Sequence, residues 1–284
     1  MKAKLQFIAS MVLYGTLSVF IRNIPLPSAA VALCRAGIAL AALLILQGAR
    51  GRLPDLRGMG GDLPLLCLSG AAMGFNWIFL FEAYRHTTVS VATLSYYFAP
   101  VLVTLACPLL FHERMTKRQV ACFIGSTVGL ILVINVGALN EGSDHLRGVA
   151  FGLMAAALYA SVILMNKRIT RASGLDRTVL QFAGAALVLA PYVLLTTGLP
   201  LGGMDGLGWA CLLCVGLVHT ALAYVLYFSA LKDLPGQEAA ILSYIDPLVA
   251  VVISLTLLGE PVTPAQLLGG ALILALTLIN ELGG

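Results

Sequence analysis

The sequence predicts an all-α integral membrane protein of ten transmembrane helices, arranged as two inverted five-helix repeats. Three observations predict this fold: a very apolar composition, ten apolar stretches of membrane-spanning length, and an internal repeat. Hydrophobic residues make up 60% of the 284 residues, charged residues 11%, and mean hydropathy is +0.96. A soluble domain carries about 25% charged residues. No long polar stretch leaves room for a soluble domain, and the small net charge of +4 does not indicate nucleic-acid binding.

A helix that crosses a bilayer needs about 20 mainly apolar residues. Charged or Pro/Gly-rich breaks separate the stretches that reach this length. The ten predicted segments, numbered 1 to 10 in chain order, are 4–22, 27–48, 63–84, 89–111, 118–138, 147–166, 178–198, 206–231, 236–258 and 264–282. We interpret the first as a helix and not as a signal peptide, because residues 13–23 match residues 158–168 and no clear cleavage site follows.

The repeat is visible when residues 81–119 are laid over residues 228–266 without a gap. The identical pairs are Phe81/Phe228, Ala83/Ala230, Ala92/Ala239, Tyr97/Tyr244, Pro100/Pro247, Leu110/Leu257, Glu113/Glu260, Thr116/Thr263 and Gln119/Gln266. The predicted repeats are residues 1–140, with segments 1–5, and residues 141–284, with segments 6–10. Because five is an odd number, the two repeats insert into the membrane in opposite senses.

The distribution of Lys and Arg predicts the orientation. Thirteen of the 17 lie in loops on the side of the N terminus, whereas Arg22, Arg85 and Arg147 lie on the other side and Arg35 lies within segment 2. Cytoplasmic loops carry the excess of positive residues. We therefore expect both termini in the cytoplasm and the chain in the cell inner (plasma) membrane.

One ordered and duplicated set of residues resembles a known family. It consists of the Leu-Cys-Arg-Ala-Gly stretch at 33–37, then Ala92, Tyr97, Pro100 and Glu113, and their counterparts Ala239, Tyr244, Pro247 and Glu260. With these residues the whole chain resembles the drug/metabolite transporter superfamily, specifically its EamA-type ten-helix members. The resemblance implies a central cavity between segments 1, 3, 4, 6, 8 and 9, with segments 5 and 10 at the periphery. It leaves the substrate open among amino acids, amines, nucleotide precursors and drugs.

Ionisable side chains inside a bilayer are costly, so each is a functional hypothesis. Asp246 lies mid-way along segment 9 beside Pro247, where a helix kinks. We expect it to bind a substrate ammonium group or carry a coupling proton; the alternative is a packing hydrogen bond. Ser243 shares its helix face, and the equivalent position in the first repeat is Ala99.

Two further buried groups are candidates with open alternatives. His219 lies on a stripe of small and polar residues that suits either a water-filled cavity and proton relay or close helix packing. Arg35 is expected to have a structural or gating role, because segment 2 is not implied to be a main cavity wall; anchoring a substrate carboxylate is the alternative.

Gating and hinge residues are predicted at three other places. Glu82 and His86 share a helix face at the external end of segment 3, where we expect a polar mouth or gate, since no third metal ligand is evident. Pro100 and Pro247 are predicted hinges.

Aromatic side chains recur on the segments expected to line the cavity. They can hold an ammonium group by cation–π attraction, although Tyr is also common at membrane interfaces. The complete predicted substrate-binding set is Asp246, His219, Ser243, Tyr96, Asn76, Trp77, Tyr14, Tyr159 and Tyr227, and the gating or structural set is Arg35, Glu82, Pro100 and Pro247.

Other motifs predict no cofactor and no metal. Cys211 and Cys214 lack a second cysteine pair, so they indicate a helix face. No phosphate-binding glycine loop is present, which argues against direct use of ATP. The Gly125-x-x-x-Gly129 motif suits a dimer seam or internal packing, so monomer and homodimer both stay open.

The predicted function is secondary-active or facilitative transport of a small polar metabolite, an amino acid or organic amine, by alternating access between the repeats. Export follows from the resemblance, and protons are a candidate coupling ion. The expected partners are thus the small-molecule substrate and the lipid bilayer. The alternatives, each lacking a recognisable motif, are an intramembrane enzyme and a non-transporting structural or sensory protein; we predict that the chain is not an enzyme.

Overall fold

The structure, a computed structural model, describes residues 2–49, 51, 60–111, 116–134, 143–172, 174–231, 233–234 and 242–282. The regular structure of these residues is helical, with no strand among them. Within them, seven helices are long and apolar enough to cross a membrane, and segments 9 and 10 contain shorter apolar helices. Large apolar side chains such as Leu195, Ile45 and Leu187 are 70% or more exposed, as a surface that faces lipid requires.

The predicted segments all appear, most of them within four residues of the expected bounds. Their helices are Lys2–Arg22, Ser28–Ala49, Leu63–His86, Val89–Tyr96 with Ala99–Phe111, Lys117–Ile134, Ser143–Arg168, Gly174–Thr196, Gly206–Gly216 with Leu217–Leu222 and Ala223–Leu231, Ile245–Thr256, and Pro264–Leu282. Segment 9 was predicted from residue 236, and residues 235–241 lie outside the described residues, as do Glu113 and Ala239 of the repeat.

Segments 5 and 10 begin with the same local structure. The backbone N–H of Thr116 donates to the Gln119 side chain at 2.8 Å, while the Gln119 N–H donates to the Thr116 hydroxyl at 3.2 Å. Thr263 and Gln266 repeat this reciprocal pair at 2.9 and 3.2 Å. The motif is a capping box, which satisfies two N–H groups that a helix start leaves unpaired. Capping therefore explains two of the identities between the repeats.

Segments 5 and 10 also pack against each other at their backbones. A Cβ on Gly129 would lie 2.7 Å from the Gly269 carbonyl oxygen, and a Cβ on Gly269 would clash with the Gly129 carbonyl oxygen. A Cβ on Gly125 would meet the Leu276 side chain. The Gly125-x-x-x-Gly129 motif therefore takes part in packing between segments 5 and 10.

Most of the helix packing joins one repeat to the other. Segment 3 packs on segments 6 and 7, segment 1 on segments 8 and 9, and segment 2 on segments 7 and 8. The two repeats are therefore interlocked, and any space between them has walls from both.

Asp62 joins the loop before segment 3 to the loop between segments 6 and 7. Its carboxylate accepts the backbone N–H groups of Thr170, Arg171 and Ala172 at 3.1, 2.6 and 3.4 Å. These hydrogen bonds, chiefly the one from Arg171, favour the charged carboxylate and lower the pKa of Asp62 below its ordinary value. A carboxylate with a lowered pKa stabilises the fold above its unfolded pKa of about 3.9, and this stability is lost as the pH falls through the folded value.

We therefore expect Asp62→Asn to lower the melting temperature at pH 7. The difference from wild type should shrink as the pH is lowered below 4, because the wild-type carboxylate becomes neutral as the pH falls through its lowered pKa. Thermal unfolding of the detergent-purified protein across this pH range measures the effect. Asp144→Asn, which changes an exposed carboxylate, is the control. A difference that does not vary with pH would show that the charge of Asp62 has no part in stability.

Candidate functional site

Segments 4 and 9 are each interrupted near Pro100 and Pro247. In segment 4 the first helix ends at Tyr96 and the second begins at Ala99, and in segment 9 the helix begins at Ile245, directly after Tyr244. Proline lacks an N–H and disfavours helical geometry in the residue before it, so a helix breaks in its vicinity. The two repeats thus interrupt their helices at equivalent positions, and backbone groups become free there.

Asp246 lies at the interruption of segment 9. Its half-buried carboxylate accepts a hydrogen bond of 2.8 Å from the Tyr97 hydroxyl, which also lies 3.4 Å from the Ser243 carbonyl oxygen. The position in the first turn of a helix favours a negative charge. Gly15 lets segment 1 approach closely, because a Cβ there would lie 2.6 Å from the Asp246 carbonyl oxygen. Segments 1, 4 and 9 therefore meet at this carboxylate.

Seven tyrosines surround Asp246 and extend from it through the bundle. This tyrosine cluster consists of Tyr14, Tyr84, Tyr96, Tyr97, Tyr159, Tyr224 and Tyr227, from segments 1, 3, 4, 6 and 8. The Tyr96 ring lies 5.3 Å from that of Tyr159 and 6.0 Å from that of Tyr97, and the rings of Tyr14 and Tyr224 are 5.8 Å apart. Tyr159 is 39% exposed, so the cluster extends to the edge of the packed core.

Arg35 borders the tyrosine cluster on the side of segment 2. The residue is 3% exposed, and its Nε donates to the Thr220 hydroxyl at 2.7 Å. The guanidinium carbon lies 4.5 Å from the centre of the Trp77 ring and 5.8 Å from that of Phe81. Segment 2 was not expected to reach the interior. It does so through this long side chain, because segment 2 packs between segments 3 and 8.

Segment 8 contains a π-helical turn from Leu217 to Leu222. The turn widens the helix by one residue and lets the Thr220 hydroxyl donate to the Val215 carbonyl at 2.7 Å. It also turns His219 toward segment 1, where Nε2 lies 3.1 Å from the Thr16 hydroxyl and Nδ1 3.4 Å from the Cys214 carbonyl oxygen. His219 is 2% exposed and both ring nitrogens have partners, and its role in substrate binding or proton relay stays a prediction.

Asn76 also has a hydrogen-bond partner within the bundle. Its side-chain amide donates to the Ala155 carbonyl at 2.6 Å, and the residue is 2% exposed. This bond attaches segment 3 to segment 6. The expected place of Asn76 in the substrate site stays a prediction.

An ion pair joins three parts of the chain at the end of the bundle that carries Arg22. Arg22 contacts Glu260 at 2.5 Å and donates to the carbonyls of Tyr84 and Thr87 at 3.1 and 3.3 Å. Glu260 also accepts the N–H of Val89 at 2.8 Å and the hydroxyl of Ser254. The pair therefore joins segment 1 to the turns between segments 3 and 4 and between segments 9 and 10.

An open cleft of about 840 Å³ lies at the same end. Its polar lining includes Arg22, Glu82, Tyr84 and Arg85. Glu82 and His86 approach to 3.6 Å, as their spacing predicts. No group of three or more His, Cys, Asp or Glu that is suited to a metal ion occurs among the residues that the structure describes.

The comparison with known proteins identifies the family. The sequence matches the EamA-like transporter family over residues 1–135 and again over residues 146–280. The chain belongs to the EamA-like transporter family. It is therefore a multi-pass membrane transporter of a small molecule and not an enzyme, and the expectation of a drug/metabolite transporter is confirmed.

Relatives and a solved structure agree with this assignment. The chain is 27% identical over 285 residues to the uncharacterized transporter YxxF of Bacillus subtilis (strain 168), covering 99% of this chain and 91% of that protein. It is 28% identical over 224 residues to the threonine/homoserine exporter RhtA of Escherichia coli (strain K12), covering 75% and 69%. A crystal structure at 20% identity superposes with a TM-score of 0.66 over 97% of this chain and 95% of that one, which shows the shared fold.

Proposed function

We propose that this EamA-like transporter is a secondary-active or facilitative exporter of a small metabolite that carries an ammonium group, either an amino acid or an organic amine. The observation that carries the proposal is the half-buried Asp246 carboxylate, held by Tyr97 where interrupted segments of the two repeats meet. A carboxylate in a site of low dielectric binds an ammonium ion strongly. The faces of Tyr rings attract the same cation.

The remaining predicted site residues keep their proposed roles around this acid. Tyr96, Tyr159, Tyr14 and Tyr227 belong to the tyrosine cluster, and Ser243 precedes Asp246 by three residues in the chain. Trp77 lies against Arg35 beside them. The threonine/homoserine exporter RhtA, as a relative, supports an amino-acid substrate and outward transport.

Alternating access is the mechanism that we propose for the two repeats, residues 1–140 and 141–284. The Arg22–Glu260 pair would close the outer side, and the interruptions at Pro100 and Pro247 would be hinges at which each repeat bends. Glu82 would then belong to the outer mouth. A proton carried by Asp246 is the candidate coupling ion.

We further propose that the protein lies in the inner (plasma) membrane with both termini in the cytoplasm. A cysteine placed at Ser143 should then react with an impermeant thiol reagent in intact cells. One placed at Ser173, which lies outside the described residues, should react only after permeabilisation. The opposite pattern would refute the orientation.

Counterflow in liposomes tests the transport proposal. Vesicles that contain the purified protein and a high internal concentration of unlabelled substrate should accumulate labelled amino acid or amine, chemically unchanged, at pH 6 and pH 8. Empty vesicles are the control. Accumulation of neither class would refute the proposed substrates. A rate that differs between the two pH values would support proton coupling, and equal rates would refute it.

A further inference from the structure

Arg35 is a buried cation, and most of its N–H donors form no hydrogen bond. A guanidinium group has five N–H donors. Only the Nε–H of Arg35 has an acceptor, the Thr220 hydroxyl at 2.7 Å, and that hydroxyl gives its own proton to Val215. Among the residues that the structure describes, no carboxylate forms an ion pair with Arg35, and no acceptor receives its Nη donors.

The aromatic neighbours stabilise the charge without satisfying these donors. Trp77 and Phe81 offer ring faces at 4.5 and 5.8 Å, which attract a cation. A ring face leaves the in-plane N–H groups free. The Nη atoms of Arg35 are not among the fully buried side-chain atoms that lack a partner, so these free donors keep some accessible surface. The guanidinium is therefore fixed in position by Thr220 and Trp77 and open at its Nη end.

The opposite charge lies across the same cluster. Tyr84 and Tyr96 are each close enough to both Arg35 and Asp246 for an electrostatic interaction with the two groups. The Asp246 carboxylate accepts a hydrogen bond from the Tyr97 hydroxyl. Among the ion pairs of the described residues, none joins Arg35 to Asp246. The interior therefore presents one positive and one negative pole, separated by phenol rings.

We propose that Arg35 binds the carboxylate of the transported molecule through its Nη donors, so that Arg35 and Asp246 together make the site specific for zwitterions of the α-amino-acid type. Arg suits this role because its planar fork matches the two oxygens of a carboxylate. The inference rests on the proposed transport function. It narrows the substrate from any ammonium compound to one that also carries a carboxylate, and it gives the gating or structural Arg35 of the sequence prediction a binding role.

The test first varies the ligand and leaves the protein intact. Wild-type counterflow is measured with three labelled probes: L-threonine, its decarboxylated amine, and its methyl ester. The amino acid should be transported about 10- to 100-fold more efficiently than either probe that lacks the carboxylate, the range expected for a charge-assisted pair. Equal rates for all three would overturn the inference and leave the transport proposal standing. No transport of any probe would overturn both.

A binding measurement locates the effect. The chain has two tryptophans, and in a Trp209→Phe background Trp77, which lies on Arg35, is the sole tryptophan and can be excited selectively over tyrosine. Threonine should change Trp77 fluorescence in a saturable manner, and the amine should bind about 10- to 100-fold more weakly. The same affinity for threonine and the amine, measured by Trp77 fluorescence, would overturn the inference.

Arg35→Gln and Arg35→Lys complete the test. Arg35→Gln should lose the preference for threonine and keep the affinity of wild type for the amine, whereas Arg35→Lys, which retains the charge without the fork, should lie between them. Amine binding by Arg35→Gln at the wild-type level also reports that the variant is folded. Should that variant fail to fold, Arg35→Lys carries the test. Arg147→Gln, which changes a 64% exposed arginine outside the cleft, is the matched control and should behave as wild type. A preference for threonine that survives in the folded variants would overturn the inference.

Discussion

Transport by Asp246→Asn is expected to fall about 100-fold or more, because loss of one partner from a buried charge pair costs about 3–5 kcal/mol. Asparagine has nearly the shape of aspartate, and its oxygen still accepts the Tyr97 hydroxyl that lies 2.8 Å from the wild-type carboxylate. The charge that attracts the ammonium group is removed. Counterflow rates in liposomes, with melting temperature as the folding check, measure the loss.

Two further variants separate the charge from other effects. Tyr97→Phe removes the hydrogen bond and keeps the acid, so we expect a loss of about 10-fold, as for one hydrogen bond to a charged group. Asp144→Asn, whose carboxylate is exposed at the end of the bundle, should transport as wild type. Normal transport by Asp246→Asn with an unchanged pH profile would exclude Asp246 from the mechanism.

The second large effect is expected at the outer ion pair. In Glu260→Gln, the Arg22 side chain loses its charged partner, while the Gln oxygen still accepts the Val89 N–H. Because the pair is only partly buried, we expect the closed outer side to lose about 1.4–2.8 kcal/mol, which shifts the equilibrium about 10- to 100-fold toward outward opening. A cysteine at Tyr96, in a cysteine-free background, should then react faster with an impermeant reagent from outside.

The partner variant provides the matched control. Arg22→Gln removes the same pair from the other side and should increase the reaction rate by a similar factor. Arg147→Gln changes another positive residue of this end, one that is 64% exposed, and should have no effect. Unchanged reaction rates in both pair variants would show that the Arg22–Glu260 contact does not control access to the tyrosine cluster.

Much of the fold was predictable because membrane insertion depends on local composition. Hydropathy located segments such as Lys2–Arg22 and Gly206–Leu231 to within a few residues, since each must supply its own apolar length. The proline pair located the helix interruptions at Pro100 and Pro247. The capping boxes at Thr116 and Thr263 also have a sequence signature, Thr-x-x-Gln. Both residues of this signature are identical in the two repeats, but the identities alone did not predict a helix start.

Contacts between residues that are distant in the sequence were harder to predict. Nothing local to Arg22 indicates Glu260, and the importance of Tyr84 depends on how segment 3 lies against segments 2 and 4. The π-helical turn changes the direction of the side chains of segment 8 after Gly216, and regular helical spacing in the sequence could not indicate that change. Gly15 was a local signal of one such contact. It has no side chain, and the backbone of segment 1 there lies close to the backbone of Asp246.

Protection of a cysteine at Ser243 by substrate tests most directly whether the region around Asp246 is the transport site. Ser243 adjoins this site, since its carbonyl lies 3.4 Å from the Tyr97 hydroxyl. In vesicles that transport, saturating substrate should slow modification of Ser243→Cys, with half-maximal protection at the concentration that gives half-maximal transport. A modification rate that substrate leaves unchanged while transport continues would contradict the account, because the substrate would then pass through another part of the protein.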